Sequence, residues 1–397
     1  MNSYMSRLQP SPFVRLRELY TGITPNPAYR HINLGLGEPQ HPTPKLIKDA
    51  IISHLDGISH YPAMVGLPAL REAFAGWTER RYGVTLNPAT QALPVSGSKE
   101  ALFSLVHFLT DTTVPDATVV FPNPFFQVYE SAAALAGVNM HFVYGEENNH
   151  FLVDWDKVPA SVWQKTQVLI VCSPDNPTGA VIPLEQWKQL FELSDRYGFT
   201  IISDECYSEI WFGNTAPLGA LEAAAQLDRT DFRRLVAVTS LSKRSNAPGL
   251  RSGFVSGDEQ IIKPYLTYRL HQGMMMGLTV QHASIAAWSD EAHVNANREL
   301  YRQKFAQVVP VLQKVLEVPM PDASFYLWPK VPGSDAEFAR DLMAQYNITV
   351  MPGSYMARDM NGFNPGTSRL RLALVADVEE CLEAAHRIAE FAAKRKP

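Results

Sequence analysis

The segment Thr239-Ser-Leu-Ser-Lys-Arg-Ser-Asn-Ala-Pro-Gly-Leu-Arg-Ser-Gly-Phe254 follows directly on an apolar run, Leu235-Val-Ala-Val238. It therefore places Lys243 immediately after a buried strand, where burial disfavours an ammonium. The same penalty is useful, because a neutral amine attacks a carbonyl. Ser240 and Ser242 add hydroxyls and Arg251 adds a planar cation, a set suited to holding a phosphate beside that amine. An aldehyde joined to a phosphate is what pyridoxal phosphate offers, with Lys243 as the amine that takes it up. The competing reading is a surface loop with chance basic residues.

Two further strand ends carry matching chemistry. Gln167-Val-Leu-Ile-Val-Cys172 reads as a buried strand running into Ser173-Pro-Asp-Asn-Pro-Thr-Gly179, where flanking prolines restrict the loop around Asn176. The Asn176 amide suits the phenolate oxygen of a pyridoxal ring; a plain loop with Asx-turn chemistry is the alternative. Phe199-Thr-Ile-Ile202 is the next strand, with Ser203-Asp-Glu-Cys-Tyr207 at its end. Asp204 would face the pyridine nitrogen and keep it protonated, and Tyr207 could reach the same phenolate as Asn176. An acid after a strand is otherwise often a helix cap. In a parallel sheet with right-handed crossovers, Asn176, Asp204 and Lys243 gather along one edge, where ligands bind.

Leu93-Pro-Val-Ser-Gly-Ser-Lys-Glu-Ala101 turns an extended segment into a helix, with Ala101, Leu102, Leu105, Val106 and Leu109 at helical spacing. Gly97 permits the turn, and Ser98 and Lys99 then offer free amides at a helix N-terminus, a ready anion site. Many helices begin this way without a ligand.

The wording of these segments resembles the fold type I, pyridoxal-phosphate-dependent aminotransferases of classes I and II. Ser-Leu-Ser-Lys followed by Gly249-Leu-Arg-Ser-Gly253, and Asn176-Pro-Thr-Gly179, carry the likeness, which runs from about Ile32 to the C-terminus. Ser-Leu-Ser-Lys-Arg-Ser-Asn, Ser-Asp-Glu-Cys-Tyr-Ser-Glu and Leu-Pro-Val-Ser-Gly-Ser-Lys-Glu-Ala-Leu-Phe are similar to one branch, the bacterial N-succinyldiaminopimelate aminotransferases of lysine biosynthesis.

The resemblance implies further roles. In Ile32-Asn-Leu-Gly-Leu-Gly-Glu-Pro39 it puts Gly37 near the substrate carboxylate; the stretch fails as a nucleotide fingerprint for want of a third glycine. Tyr61, in His60-Tyr-Pro-Ala-Met-Val-Gly66, would reach the cofactor phosphate of the neighbouring subunit. Phe126, in preference to Phe125, would stack on the pyridine face, without the hydrogen bond that a Tyr or Trp there would add. In Arg369-Leu-Arg371 both arginines are expected on one face, and the register of the likeness makes Arg369 the bidentate clamp for the substrate α-carboxylate. The Lys99 side chain is a candidate for a distal carboxylate, a solvated lysine being the alternative.

Composition sets the frame. With 46% hydrophobic and 19% charged residues in 397, the chain is of ordinary globular character, and its net charge of −5 argues against nucleic-acid or anionic-membrane partners. Cys172, Cys206 and Cys381 are scattered and in no metal spacing, which suits a reducing cytoplasm, and no metal is expected. Met1 to Pro10 contain no apolar signal core. The expected fold is a three-layer α/β/α sandwich with a mostly parallel sheet over residues 46–280. A smaller α/β domain would combine residues 1–45 with 281–397, its strands lying at Asp322–Trp328, Asn347–Gly353 and Ser368–Leu374. Ser284 to Lys314 reads as broadly helical, and Gly273-Met-Met-Met-Gly277 as either a pocket wall or core filler.

By resemblance the chain is a homodimer with shared active sites, running a ping-pong transamination between amino-acid and keto-acid substrates: glutamate and N-succinyl-2-amino-6-ketopimelate. The alternatives are an aspartate- or acetylornithine-type aminotransferase, a pyridoxal-dependent C–S lyase on the same fold, and a non-catalytic binding module. The last would be expected to lack Lys243 or Asp204.

Overall fold

Seven strands build the central sheet of this chain, whose computed structural model describes residues 2–395; Met1, Lys396 and Pro397 lie outside the described residues. Across the sheet the strands run Ala92–Val95, Gly253–Gly257, Leu235–Ser240, Thr200–Asp204, Thr166–Cys172, Thr118–Pro122 and Asn139–Val143. Only Gly253–Gly257 lies antiparallel to its two neighbours. The rest of the ladder is parallel, as expected from strands that alternate with helical stretches.

The strand residues are apolar on both faces because both are covered. Along Thr166–Cys172, Val168 and Ile170 enter one core with Leu102, Leu105, Val128 and Tyr265. Leu169 and Val171 enter the opposite core with Phe74, Trp77, Trp187, Phe191 and Trp288. This two-residue alternation between two helix-covered cores makes the three layers of an α/β/α sandwich.

The helices begin and end on residues whose chemistry requires it. Pro68 opens Pro68–Tyr82 and Pro183 caps Leu184–Tyr197, while Gly83 and Gly198 close these two helices in left-handed backbone. The helical stretch expected from Ser284 to Lys314 starts earlier and breaks once, forming Leu278–Trp288 and Ala292–Leu312. Of the methionine run, Met276 is core.

A separate apolar core joins Ile32 and Leu34 to residues of 305–392, among them Phe338, Ile348, Leu370, Leu372, Ile388 and Phe391. Its strands are shorter than the apolar runs predict. Tyr326–Leu327 and Met351–Pro352 flank Leu370–Ala373 in an antiparallel sheet, while Ile348–Thr349 pairs in parallel with Ile32–Asn33. The segment expected as one strand from Asn347 to Gly353 thus changes partner at Val350. Ser324, in left-handed backbone (φ 78°), delays the start of the strand expected from Asp322.

The last helix, Val378–Lys394, is capped by Asp377, whose carboxylate accepts from the Glu380 amide at 2.8 Å. Asp377→Ala should lower stability by about 1 kcal/mol in denaturant unfolding, and Asp377→Asn, which also caps, should cost much less. Equal losses in both would show that the charge, not the cap, matters.

Candidate functional site

The strands Thr166–Cys172, Thr200–Asp204 and Leu235–Ser240 are adjacent and parallel, with Cys172 opposite Asp204 and Asp204 opposite Val238. Their C-terminal ends therefore bring Asn176, Asp204 and Lys243 to one sheet edge. Asn176 and Asp204 are buried, and the Lys243 amine is largely so. Among the described residues neither Lys243 nor Asp204 has an ion-pair partner.

Asp204 is held by two donors: the Tyr129 hydroxyl at 2.7 Å and the Cys206 amide at 3.3 Å. Burial still pushes its carboxyl above the ordinary range, the hydrogen bonds opposing that shift only in part. Lys243 sits in the short helix Leu241–Arg244, donates to the Gly37 carbonyl, and lies 5.3 Å from the Phe325 ring centroid. Burial lowers its pKa to about 8, and the nearby Arg371 and Arg251 act in the same direction. A Cβ on Gly37 would collide with the Tyr326 hydroxyl, so only glycine brings the main chain this close. The Tyr207 hydroxyl meets that of Tyr326 at 3.1 Å.

A second group gathers beside the amine. Ser240 caps the lysine's helix: its hydroxyl accepts from the Ser242 amide at 3.1 Å and contacts the Ser242 hydroxyl at 2.8 Å. Gly97, at φ 88°, leads into Ser98–Leu109, and the Arg251 guanidinium packs where a Cβ on Gly97 would stand. The first amides of that helix have no intrahelical acceptor. Arg251 is exposed and donates to the Pro248 carbonyl at 2.8 Å. Hydroxyls, a free helix N-terminus and a guanidinium are the donor set that a phosphate needs. The buried amine and carboxylate, each without an ionic partner, fit the aldehyde and ring nitrogen of pyridoxal phosphate.

A cavity of about 300 Å³ next to these residues is lined by Phe13, Lys99, Phe126, Asn176, Met351 and Arg371. Lys99 and Phe126 thus reach the cleft together. Phe125 is largely core, stacked on Phe142 at 5.6 Å. Tyr61 is 97% exposed and stands outside its own chain's cleft.

The guanidinium in this cleft is that of Arg371, not Arg369 as the register of the likeness implied. Arg371 donates to the Asn176 side-chain oxygen at 3.1 Å and the Gly35 carbonyl at 2.8 Å, with its guanidinium 4.5 Å from the Tyr326 ring centroid. Arg369 instead pairs with Glu147 at 2.6 Å and donates to the Trp328 carbonyl at 3.1 Å. The reason lies in where the strand begins. Arg369 bridges Lys330 ahead of the ladder that starts at Leu370, on the side where Glu147 stands, whereas Arg371 pairs with Met351 inside the ladder. Tyr129 and Tyr326 were also missed. Tyr129 lies within a helix of apolar character, and Tyr326 inside an apolar run, so neither carries a local signal.

Comparison with known proteins gives the same picture. The family model for aminotransferase class I and II matches residues 29–388. An LL-diaminopimelate aminotransferase of Aquifex aeolicus is 34% identical over 364 residues, covering 90% of each chain. An aminotransferase structure from Neisseria meningitidis is 48% identical with a TM-score of 0.95, covering 98% of this chain and 99% of that one. A probable N-succinyldiaminopimelate aminotransferase of Thermus thermophilus is 29% identical with a TM-score of 0.82, covering 96% of this chain and all of the other.

The lysine's burial has a measurable sign. With a folded pKa of about 8 against an ordinary 10.5, the charged amine destabilises the cofactor-free fold below about pH 8, and the penalty fades as pH rises toward 10.5. Lys243→Met should therefore stabilise the cofactor-free protein at neutral pH, by a margin that shrinks between pH 8 and 10.5 in denaturant titrations. A margin independent of pH would contradict the assigned shift.

Proposed function

Because the chain belongs to the class I and II aminotransferases, which use pyridoxal 5'-phosphate, we propose that it moves an amino group between glutamate and a keto acid of the diaminopimelate series, with N-succinyl-2-amino-6-ketopimelate as that keto acid. The observation that carries this reading is the convergence of Lys243, Asp204, Asn176 and Arg371 on one sheet edge, with Lys99 lining the same cleft.

Pyridoxal phosphate, when bound, supplies an aldehyde that condenses with amines and a ring that takes up the electrons left at the substrate Cα. Ser240, Ser242, Arg251 and the Gly97–Ser98–Lys99 turn would hold its phosphate. Asp204 would hold a proton at the ring nitrogen, and its burial beside Tyr129 and Cys206 would strengthen that charge-assisted contact. Asn176 and Tyr207 would donate to the phenolate oxygen, and Phe126 would cover the ring. Arg371 receives the substrate α-carboxylate on its fork, its orientation already set by Asn176, Gly35 and Tyr326. Lys243 in its neutral state removes the Cα proton and returns it to the carbon that becomes aminated. Gly37 keeps the amine in place through its carbonyl.

The chain is read as a homodimer. Ile52, Leu55, Ile58 and Tyr61 form an exposed apolar run, at 66%, 50%, 82% and 97% exposure, of the kind that a second copy covers. Tyr61 would then serve the partner's phosphate site. The large unit is assigned to residues 46–280 and the small one to 1–45 with 281–397. A cytoplasmic setting suits the three free cysteines. No helix among the described residues is long and apolar enough to cross a membrane.

The names of the curated relatives favour a second reading, in which free LL-diaminopimelate is the amino compound. Reverse assays separate the two, with 2-oxoglutarate as acceptor and either N-succinyl-LL-diaminopimelate or LL-diaminopimelate as donor. The first reading expects the succinylated donor to be used with the higher kcat/KM; preference for the free diamine would replace it with the second. In half-reactions of the cofactor-loaded enzyme with a single donor and no acceptor, Lys99→Met should lose about 1–3 kcal/mol in kcat/KM for glutamate but little for alanine. Equal losses on both donors would remove Lys99 from distal-carboxylate recognition.

A further inference from the structure

Arg369, displaced from the catalytic cleft, lines a larger cavity of about 570 Å³. This lies between the hairpin bridged at Gly145 and Val153 and the turn that leads into Leu370–Ala373. Its volume falls within the roughly 300–1,000 Å³ of small-molecule sites. Tyr144, Phe151, Trp155, Trp328 and Phe363 supply an aromatic wall.

The charges inside are unevenly placed. The Arg369 side chain is 8% exposed, with its guanidinium 4.9 Å from the Phe151 ring centroid and one nitrogen spent on the Trp328 carbonyl. Its ionic partner, Glu147, is 36% exposed and comes from the three-residue turn Glu147–Asn149. Lys330, the other cation beside Glu147, is exposed and pairs with Glu317 at 3.7 Å. A buried arginine is thus neutralised by a partly exposed acid on a short turn, a pairing that solvent screens and that an incoming carboxylate can exchange with. Any carboxylate brought in on an apolar body could take that place, since burying an aromatic ring against these side chains supplies a favourable term that Glu147 lacks.

We propose that this cavity binds a small aromatic monocarboxylate, its carboxylate replacing Glu147 on Arg369 and its ring packing against Trp155, Trp328 and Phe151. The wall also carries Glu146 and Asp175, the first paired with Lys157 and the second held by the Thr178 amide and hydroxyl. Lys330 also lines the cavity but is shared with Glu317, so with Glu147 the acids outnumber the cations and the site favours a single negative charge over the dicarboxylates that the catalytic cleft is read to accept.

The test is calorimetric titration of the pyridoxal-phosphate-loaded enzyme with 3-phenylpropionate and with its neutral amide, 3-phenylpropionamide. Saturable binding of the acid is expected, with the amide about tenfold weaker or more. Arg369→Met should abolish binding of the acid while leaving amino transfer from glutamate close to wild type, and Arg371→Met should preserve it. Equal affinity for acid and amide, or no saturable binding at millimolar concentration, would overturn the proposal without reference to any variant. So would loss in Arg371→Met with retention in Arg369→Met, which would place the probe in the catalytic cleft.

Discussion

The parallel register of three strands is the constraint on which the site depends. Cys172, Asp204 and Val238 lie abreast, so the loops that follow them open at one edge, and the residues those loops carry have no other place to go. A one-residue slip would turn the alternating side chains of Thr200–Asp204 to the opposite faces and take the carboxylate away from Tyr129. Two separate cores, one on each face, oppose that slip, because Ile201 and Ile202 are packed into different ones.

That scaffold supports an otherwise unfavourable arrangement. A lysine and an aspartate are buried close to each other, and among the described residues neither has a salt-bridge partner. The fold tolerates them through neutral donors and acceptors: Tyr129 and the Cys206 amide for Asp204, the Gly37 carbonyl for Lys243. The same lack of ionic partners leaves both groups ready for a cofactor. The third wall of the site comes from the other core. Gly35 and Gly37 follow Ile32–Asn33, which pairs with Ile348–Thr349, and Tyr326 and Arg371 stand in the antiparallel sheet beside it. Arg371 bonds to Asn176 on one side and Gly35 on the other, so one guanidinium ties the two cores together at the point where substrate would enter.

How much of this was legible in the sequence depended on whether the information was local. Apolar runs followed at once by Asn176, Asp204 and Lys243 announce themselves, because strand and chemistry are contiguous. The helix that begins at Ser98 is equally local. The arginine was not. Arg369-Leu-Arg371 shows two cations of the same parity, and choosing between them requires knowing that the first bridges Lys330 beside Glu147 while the second pairs with Met351 inside the ladder. Tyr129 and Tyr326 are hidden for a related reason: each looks like core in its own segment, and only the sheet order brings one to Asp204 and the other to Gly37. The short strands of the second core were overread because apolar character persists through Val350, where pairing changes from one sheet to another.

The central claim is that this edge of the sheet performs amino transfer, with Lys243 handling the proton at Cα. The most direct measurement is a single half-reaction: cofactor-loaded enzyme mixed with glutamate and no acceptor, with the products analysed. The account predicts release of 2-oxoglutarate in proportion to the cofactor present, no free ammonia or carbon dioxide, and no release from Lys243→Ala carrying the same cofactor. Continuous ammonia or carbon dioxide formation without an acceptor, or an undiminished yield from the alanine variant, would contradict it.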